Sequence, residues 1–372
     1  KLGEILAEQE RFEEAIKEYQ KAIELNSKSA WLYYKLGDIL KRQGKNQDAI
    51  HVYRLGIKKI RSCQNKKLNC ELGKLLIQER EINVSNAKKI NFKHPPFFIV
   101  GPGRCGTTLL RRILQSHPDI MIPDENYAIY QSYDIYTSEN YQNKGWSKKV
   151  DLIFRNLSQQ ENFQYFDVNP IKQEIATLNK AKLQKLSYLW NCFHRYYIQI
   201  YKPSAIRWGD KTPRNVFFLN KIKSIFPDAK FIYLMRDAYD MCASHASMKG
   251  REGEYEKGAK RWIQSNYNAL DFFMKQKQNI LFLRYEDMVR YPKLIIQKVC
   301  NFIELEFRED MLDNLATVQE MNDLKIYSHH ANSSSQISEQ HIGKGRNNLP
   351  LDKKNQIYSI VKEWQNLLGY QE

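Results

Sequence analysis

FFIVGPGRCGTTLL, residues 97–110, is the stretch that decides the fold of this chain. A short apolar run leads into a loop bounded by Gly101 and Gly106, and the loop opens onto residues with helical spacing. A strand, a glycine-rich loop and a helix in this order place backbone N–H groups and a helix N-terminus around an anion, usually a phosphate. The sequence therefore predicts a phosphate-binding loop inside an α/β domain.

The loop differs from a nucleoside triphosphate loop in the position of its cation. A Walker-type loop has a lysine directly after its second glycine, where it reaches the β and γ phosphates. Here that position holds Thr107, and the cation is Arg104, inside the loop. The loop is therefore predicted to hold a 5′-phosphate without the usual lysine for a triphosphate tail. A buried strand, turn and helix without a ligand is the alternative.

A repeat with a period of 34 residues precedes the loop. KLGEIL at residues 1–6 recurs as KLGDIL at residues 35–40, and Ala15 and Tyr19 recur as Ala49 and Tyr53. This pattern resembles the tetratricopeptide repeat, in which small residues let two antiparallel helices approach closely. It implies all-α helical repeats over residues 1–90, with a degenerate third copy from Leu72. The repeats are predicted to bind a protein or peptide, or to serve as a spacer. Residues 91–96 end in two prolines and are predicted to be a linker.

The loop itself resembles the 5′-phosphosulfate-binding loop of sulfotransferases that use 3′-phosphoadenosine 5′-phosphosulfate (PAPS). The pattern Pro-Arg-Ser/Cys-Gly-Thr-Thr-Leu is that of tyrosylprotein sulfotransferases and their bacterial relatives, and Gly103 here replaces the proline. The resemblance implies that seven consecutive residues bind the nucleotide: Gly103, Arg104, Cys105, Gly106, Thr107, Thr108 and Leu109.

The resemblance also implies a general base. In tyrosylprotein sulfotransferases a glutamate lies just past a His-Pro-Asp segment, which is residues 117–119 here. Counting from the loop arginine gives Glu125, and Asp124 is the nearby alternative. Sulfonyl transfer to a hydroxyl needs a base that takes the acceptor proton. The competing interpretation is that both carboxylates merely solvate a loop.

GDKTP, residues 209–213, resembles a family segment whose lysine contacts the transferring sulfonate and the bridging oxygen. The match implies that Lys211 stabilises the leaving group electrostatically, together with Arg104. A salt bridge between Lys211 and Asp210 is the alternative.

Two later segments resemble nucleotide-binding signatures of the same family. RDAYDMCAS, residues 236–244, follows an apolar strand, and the match implies that Arg236 and Ser244 bind the 3′-phosphate. IGKGRNN, residues 342–348, resembles a C-terminal loop that closes over the nucleotide, with Lys344 and Arg346 as further cations. Ser333–Ser335 lies where relatives place a serine near the sulfonate, and a linker is the equal alternative.

Two other patterns are predicted to be structural. Tyrosines recur at positions 127, 130, 133, 136 and 141, and the first of them fit one face of a helix, which favours a core stripe, with a platform that stacks a sugar or peptide acceptor as the alternative. The Glu286-Asp287 pair is predicted to cap a helix and support the scaffold rather than to form a catalytic dyad.

The composition of the chain limits the classes of partner that it is expected to bind. The chain has 372 residues and a formal net charge of +16, which implies acidic partners such as a phosphorylated and sulfated nucleotide, an acidic peptide or an anionic glycan. Without a recognisable zinc-finger, homeodomain or RNP-type motif, nucleic acid is disfavoured. We expect no membrane span and no signal peptide. The scattered cysteines predict free thiols, no metal site and a cytoplasmic location. Because Lys1 falls inside a repeat, we expect a fragment.

Together these features predict a PAPS-dependent O-sulfotransferase domain at residues 97–372, with a parallel α/β sheet flanked by helices, behind the all-α repeats. The nucleotide is expected at the carboxyl ends of the strands. The predicted acceptor is a peptide tyrosine, with a glycan or a small hydroxylated metabolite as the alternative. A P-loop kinase and a catalytically dead repeat scaffold remain the other function classes.

Overall fold

The computed structural model describes residues 2–26, 29–59, 71, 92–141, 145–160, 163, 166–176, 185–248, 250–313, 315 and 337–370. Backbone contacts divide the chain into two compact units. The first comprises Lys1–Asn91, Ile135–Ala205 and Val318–Ile326, and the second comprises Phe92–Asp134, Ile206–Thr317 and Tyr327–Glu372.

The helices and strands are numbered in chain order. The helices are α1 (Leu2–Glu8), α2 (Phe12–Leu25), α3 (Ala30–Arg42), α4 (Asn46–Lys59), α5 (Thr107–Ser116), α6 (Ala128–Thr137), α7 (Trp146–Ser158), α8 (Asn169–Ala176), α9 (Leu186–Tyr201), α10 (Leu219–Ile225), α11 (Ala238–Ala246), α12 (Tyr255–Lys275), α13 (Tyr285–Arg290), α14 (Pro292–Phe302), α15 (Asp310–Asp313), α16 (Lys344–Asn348) and α17 (Leu351–Leu367). The strands are β1 (Phe97–Val100), β2 (Ile120–Met121), β3 (Arg207–Lys211), β4 (Lys230–Met235) and β5 (Ile280–Arg284). Short 3₁₀ turns include Pro213–Phe217 and Glu339–His341.

Helices α1–α4 form two copies of the predicted helix pair in the first unit. A Cβ added to Gly3 would lie 2.9 Å from the Tyr19 ring, and one added to Gly37 would lie 2.1 Å from the Tyr53 ring. The glycine of each repeat is therefore the place where the tyrosine of the next helix packs against the backbone. This close approach explains why both residue types recur with the 34-residue period.

The first unit also contains α7, α8 and α9. Phe166 and Tyr201 from this segment pack against the buried core of the repeats. The predicted sulfotransferase range of 97–372 includes residues 135–205, whereas backbone contacts group those residues with the repeats.

The second unit is built on a five-stranded, all-parallel sheet with the order β2-β3-β1-β4-β5. Strand β1 is central, and Phe97 pairs with Gly209 on one side and with Lys230 on the other. Strands β1 and β4 are near-continuous apolar runs because helices cover both faces of a parallel sheet. The predicted fold class is confirmed.

Some predictions fall outside the described residues, namely the third repeat from Leu72, the Ser333–Ser335 run, Cys63 and Cys70. The other four cysteines, at 105, 192, 242 and 300, are free and buried. Over the described ranges, no helix combines the length and apolar character needed to cross a bilayer.

Candidate active site

The loop between β1 and α5 adopts a backbone that glycine makes possible. Gly103, Arg104 and Gly106 have φ values of 86°, 58° and 88°, all in the left-handed region. A Cβ on Gly101 would lie 2.6 Å from the Leu234 carbonyl oxygen, and one on Gly106 would lie 2.4 Å from the Tyr285 ring. Successive residues in such a conformation turn their N–H groups toward one concavity, which suits an anion.

Arg104 is the cation of this loop. A non-glycine residue in the left-handed region costs about 1–3 kcal/mol and persists only where its surroundings hold it. Its Nε donates to Ser244 Oγ at 3.0 Å, and Arg236 Nη1 donates to its carbonyl oxygen at 3.4 Å. Burial, and then the neighbouring charge of Arg236, lower the pKa of Arg104. Two guanidinium groups held this close favour a bound anion.

Three other predicted loop residues, Cys105, Thr107 and Thr108, are buried. The Cys105 side chain is fully buried in the core, and burial raises the pKa of its thiol to about 12. Thr107 and Thr108 begin α5 and are almost entirely buried, and Leu109 packs against the same core. The cysteine is therefore a neutral packing residue at neutral pH rather than a nucleophile.

A carboxylate and an ammonium group meet next to the loop. Lys211 ends β3, its side chain is fully buried, and its Nζ lies 2.6 Å from Glu125 Oε1. The Tyr127 hydroxyl donates to Glu125 Oε2 at 2.9 Å. Each carboxylate oxygen of Glu125, the predicted base, therefore accepts a hydrogen bond, Oε1 from Lys211 and Oε2 from Tyr127.

The alternative partners of these two residues are engaged elsewhere. Asp210 accepts from Asn215 Nδ2 at 2.8 Å and from Thr212 Oγ1 at 3.3 Å, so the predicted alternative of a Lys211–Asp210 salt bridge is wrong. Asp124 is 2 % exposed and pairs with Arg111 at 3.3 Å. Of the two adjacent carboxylates, only Glu125 faces Lys211.

Arg236 lies directly after β4, where the sequence predicts a 3′-phosphate ligand. Its guanidinium stacks over the Tyr285 ring at 4.4 Å, and its Nη2 donates to Asp240 Oδ2 at 3.3 Å and to the His341 carbonyl oxygen. Its buried Nε has no hydrogen-bond partner among the residues that the structure describes. Arg236 and Ser244 both contact Arg104, so the two predicted phosphate subsites adjoin.

The two predicted C-terminal cations differ in their surroundings. Lys344 is exposed at the first position of α16. Arg346 donates from Nε to Asp237 Oδ2 at 2.7 Å and stacks over the Tyr239 ring at 4.7 Å. Arg346 therefore ties the C-terminal segment to the start of α11.

Sequence reasoning missed Tyr127 and Arg261. Of the tyrosines predicted to form a core stripe, Tyr130 is a core residue and stacks on Phe218 at 3.7 Å. The core prediction is wrong for Tyr127, whose hydroxyl donates to Glu125, and for Tyr136, which is 39 % exposed. Arg261 donates from Nε to the Pro102 carbonyl oxygen at 2.8 Å. Burial, then the charges of Arg251 and Arg214, lower the pKa of Arg261. No local pattern marks either residue, because each contact joins segments that only the fold brings together.

The scaffold part of the prediction for the Glu286-Asp287 pair is confirmed at Glu286, whereas the predicted helix cap is wrong, because Arg284 is the N-cap residue of α13 and no described side chain caps that end. The Glu286 carboxylate accepts the Asp237 N–H at 2.9 Å and the Tyr370 hydroxyl at 3.1 Å. It thereby supports the turn that carries Arg236.

Comparison with known families agrees with this geometry. A model described as "Sulfotransferase family" matches residues 95–309, and models described as "TPR repeat" and "Tetratricopeptide repeat" match residues 3–44 and 32–58. The sulfotransferase match covers the loop, Glu125, Lys211, Arg236 and Ser244.

Individual relatives are distant. The chain is 23% identical over 242 residues to a protein-tyrosine sulfotransferase of Drosophila melanogaster, covering 63% of this chain but only 43% of that protein. It is 26% identical over 220 residues to a putative protein-tyrosine sulfotransferase of Caenorhabditis briggsae, and the match covers 58% of this chain and 67% of that protein. The solved sulfotransferase domain from the curacin biosynthetic pathway superimposes with a TM-score of 0.51 at 20% identity, over 74% of this chain and 99% of that domain. Because the sulfotransferase family model matches more than half of the chain, residues 95–309, this protein belongs to the sulfotransferase family, and it carries tetratricopeptide repeats at its N-terminal side.

Proposed function

We propose that this protein transfers the sulfonate group of PAPS to an acceptor hydroxyl. The observation that carries the proposal is the 2.6 Å contact between Glu125 Oε1 and Lys211 Nζ beside the arginine-containing loop. The charge of Glu125 acts on Arg104, partly offsetting the lowering of its pKa, so these groups share one neighbourhood. A carboxylate, an ammonium and a guanidinium form the set that sulfonyl transfer to a hydroxyl requires.

The residues present fit a nucleotide with phosphates at both the 5′ and 3′ positions. Positive φ angles at Gly103, Arg104 and Gly106 turn the loop backbone in a way that suits a 5′-phosphate, and Gly106 lets the loop pack closely against Tyr285. Arg236 adjoins this loop, and its buried Nε lacks a partner within the described part of the chain. A second phosphate beside Arg236 and Ser244 would satisfy that donor.

PAPS supplies an activated sulfonate on its 5′-phosphate. Glu125 takes the proton of the acceptor hydroxyl while the acceptor oxygen bonds to sulfur. The bond from sulfur to the phosphate oxygen breaks, and the negative charge goes to that oxygen. Lys211 and Arg104 donate hydrogen bonds to the sulfonate and to the departing oxygen, and fixed cations at the point where charge develops lower the barrier. Adenosine 3′,5′-bisphosphate (PAP) is the second product.

Peptide tyrosine is the proposed acceptor. The Drosophila relative is named a protein-tyrosine sulfotransferase and the Caenorhabditis briggsae relative a putative one, and repeats of the tetratricopeptide type commonly bind proteins. A glycan or a small hydroxylated metabolite is the alternative, and the same base and cations would serve it.

The test is PAP release from PAPS with an acidic tyrosine peptide. Wild type is compared with Glu125→Gln, which keeps the side-chain shape, and with Glu256→Gln, which alters an exposed pair with Lys260. Peptide-dependent turnover should fall by roughly 10²–10⁴-fold in Glu125→Gln and stay unchanged in Glu256→Gln. Full activity of Glu125→Gln would refute the assigned base. Nucleotide binding without peptide modification would refute the peptide acceptor and direct the assay to glycans and small alcohols.

A further inference from the structure

Asp240 is a buried carboxylate that the proposed chemistry does not use. Its side chain is fully buried on α11, four residues after Arg236. Oδ2 accepts from Arg236 Nη2 at 3.3 Å and from the Gly343 N–H at 2.8 Å, and Oδ1 accepts the Gly345 N–H at 2.6 Å. One carboxylate therefore joins the arginine after β4 to the C-terminal segment.

The backbone around Asp240 is built for this contact. Gly343 has a φ of 71°, in the left-handed region, and caps α16. A Cβ on Gly345 would lie 2.4 Å from the Tyr239 carbonyl oxygen and 2.7 Å from the Asp240 Cα. The turn can press against α11 only because position 345 has no side chain. Its two N–H groups then point at the Asp240 carboxylate.

Arg236 is held by the same arrangement. Its Nη2 bonds both Asp240 and the His341 carbonyl oxygen, and its Nη1 bonds the carbonyl oxygen of Arg104. These contacts fix the guanidinium between the phosphate loop and the C-terminal turn. Asp240 bonds both the guanidinium and the turn, so its loss would remove one restraint from each of them.

We propose that Asp240 is the positioning residue of the 3′-phosphate subsite, which holds Arg236 and the Gly343–Gly345 turn in the arrangement that selects a 3′-phosphorylated nucleotide. The inference rests on the proposed function, because it takes Arg236 as the ligand of the 3′-phosphate. Asp240 does not itself contact the phosphate, and its effect passes through Arg236.

Electrostatics and positioning make opposite predictions for the variant Asp240→Asn. Removing a negative charge next to an anion site should strengthen phosphate binding if charge alone decides. If positioning decides, the substitution should weaken 3′-phosphate binding. The amide of asparagine has only one acceptor oxygen for the Arg236 guanidinium and the N–H groups of Gly343 and Gly345. The sign of the change therefore separates the two explanations.

The experiment measures the dissociation constants of PAP and of 5′-AMP, which lacks the 3′-phosphate, by titration calorimetry on the whole chain. The preference for PAP over 5′-AMP should fall about tenfold or more in Asp240→Asn, as expected when a charged hydrogen-bonding group is displaced. Binding of 5′-AMP should be retained, which a general loss of structure would not allow. Asp134→Asn makes the same chemical change in an exposed pair with Lys221 and should leave the preference unchanged.

Two further variants separate the possible failures. Gly345→Ala pushes the turn off α11 without touching the carboxylate, and it should lower the preference likewise, which keeps the test valid if Asp240→Asn does not fold. An unchanged or increased preference in the folded Asp240→Asn or Gly345→Ala variants, with a loss in Arg236→Gln, overturns the role of Asp240. No preference for PAP in wild type, or none lost in Arg236→Gln, overturns the proposed nucleotide site instead.

Discussion

The Lys211 ammonium lies 2.6 Å from the Glu125 carboxylate, although 86 positions separate the two residues in the chain. The sheet explains this distance. Strands β2 and β3 run parallel with Met121 opposite Trp208, so the residues that follow them emerge at the same edge. The N–H of Asn126 donates to Thr212 Oγ1 at 2.9 Å and fastens the two segments together just beyond that edge. The register of one strand pair therefore brings the proposed base to the proposed catalytic cation.

Lys211→Met should lower turnover by a larger factor than it weakens the binding of PAP. Methionine can fill the buried space of the lysine stem but cannot stabilise the departing oxygen, so kcat should fall by roughly 10²–10³-fold. PAP lacks the sulfonate but keeps the departing oxygen on its 5′-phosphate, so its dissociation constant should rise by a smaller factor than the fall in kcat. Steady-state assays of PAP release give kcat, and calorimetry with PAP gives its dissociation constant. Equal losses in both would mean that Lys211 shapes the nucleotide site rather than assisting the chemical step.

Tyr127→Phe should lower kcat with little effect on KM for PAPS. The variant removes the hydroxyl that holds Glu125 Oε2, while Lys211 still holds Oε1, so the carboxylate loses orientation. A hydrogen bond to a charged group supports a loss of about tenfold. Steady-state kinetics of Tyr127→Phe and Tyr130→Phe make the comparison, because the Tyr130 ring stacks on Phe218 and keeps that contact as phenylalanine. Similar rates in both variants and wild type would contradict a role for the Tyr127 hydroxyl.

Gly106→Ala should weaken nucleotide binding in addition to the loss of folding stability that a left-handed alanine causes. Gly106 has a φ of 88°, and its added Cβ would lie 2.4 Å from the Tyr285 ring, which supports Arg236. Gly250 is the matched control, since its φ is 78° but no described atom lies within 4 Å of its added Cβ. Both substitutions should lower the free energy of unfolding by about 1 kcal/mol, because alanine is strained in the left-handed region, and both should therefore lower the melting temperature. PAP affinity should fall at least about tenfold in Gly106→Ala alone; equal affinities would refute a loop shaped by this clearance.

Asp210 makes stability depend on pH in an identifiable range. Burial raises the pKa of Asp210 to about 7. Between about pH 4 and pH 7 the folded protein keeps a proton that the unfolded chain has released, so the free energy of unfolding falls as pH rises through this range and is constant above it. Asp210→Asn removes this dependence.

Urea unfolding of wild type and Asp210→Asn at pH 5 and pH 8 tests this prediction. The variant should gain about 2–3 kcal/mol relative to wild type between the two pH values. Parallel behaviour of the two proteins at both pH values would show that Asp210 ionises normally in the fold.

The structure brings together those residues of the candidate site that short sequence motifs had predicted. The loop arginine, Glu125, Lys211, Arg236 and Ser244 each lie within or next to a local pattern of glycines, prolines or an apolar strand. Contacts between distant segments were not predictable. Nothing local distinguishes Tyr127 from the other tyrosines nearby, and the hydrogen bond that the Gly345 N–H donates to Asp240 spans 105 positions.

The sequence by itself determined the repeats, the parallel α/β class and the glycine-rich loop between β1 and α5, because each follows from spacing, apolar runs and the backbone freedom of glycine over a few residues. Only the tertiary structure decided which groups the charged side chains contact. It directed Lys211 to Glu125 rather than to its neighbour Asp210, because strand register and burial select partners across the sheet. It also grouped residues 135–205 with the repeats, because apolar side chains such as Phe166 and Tyr201 pack against the nearest complementary core wherever they occur in the chain.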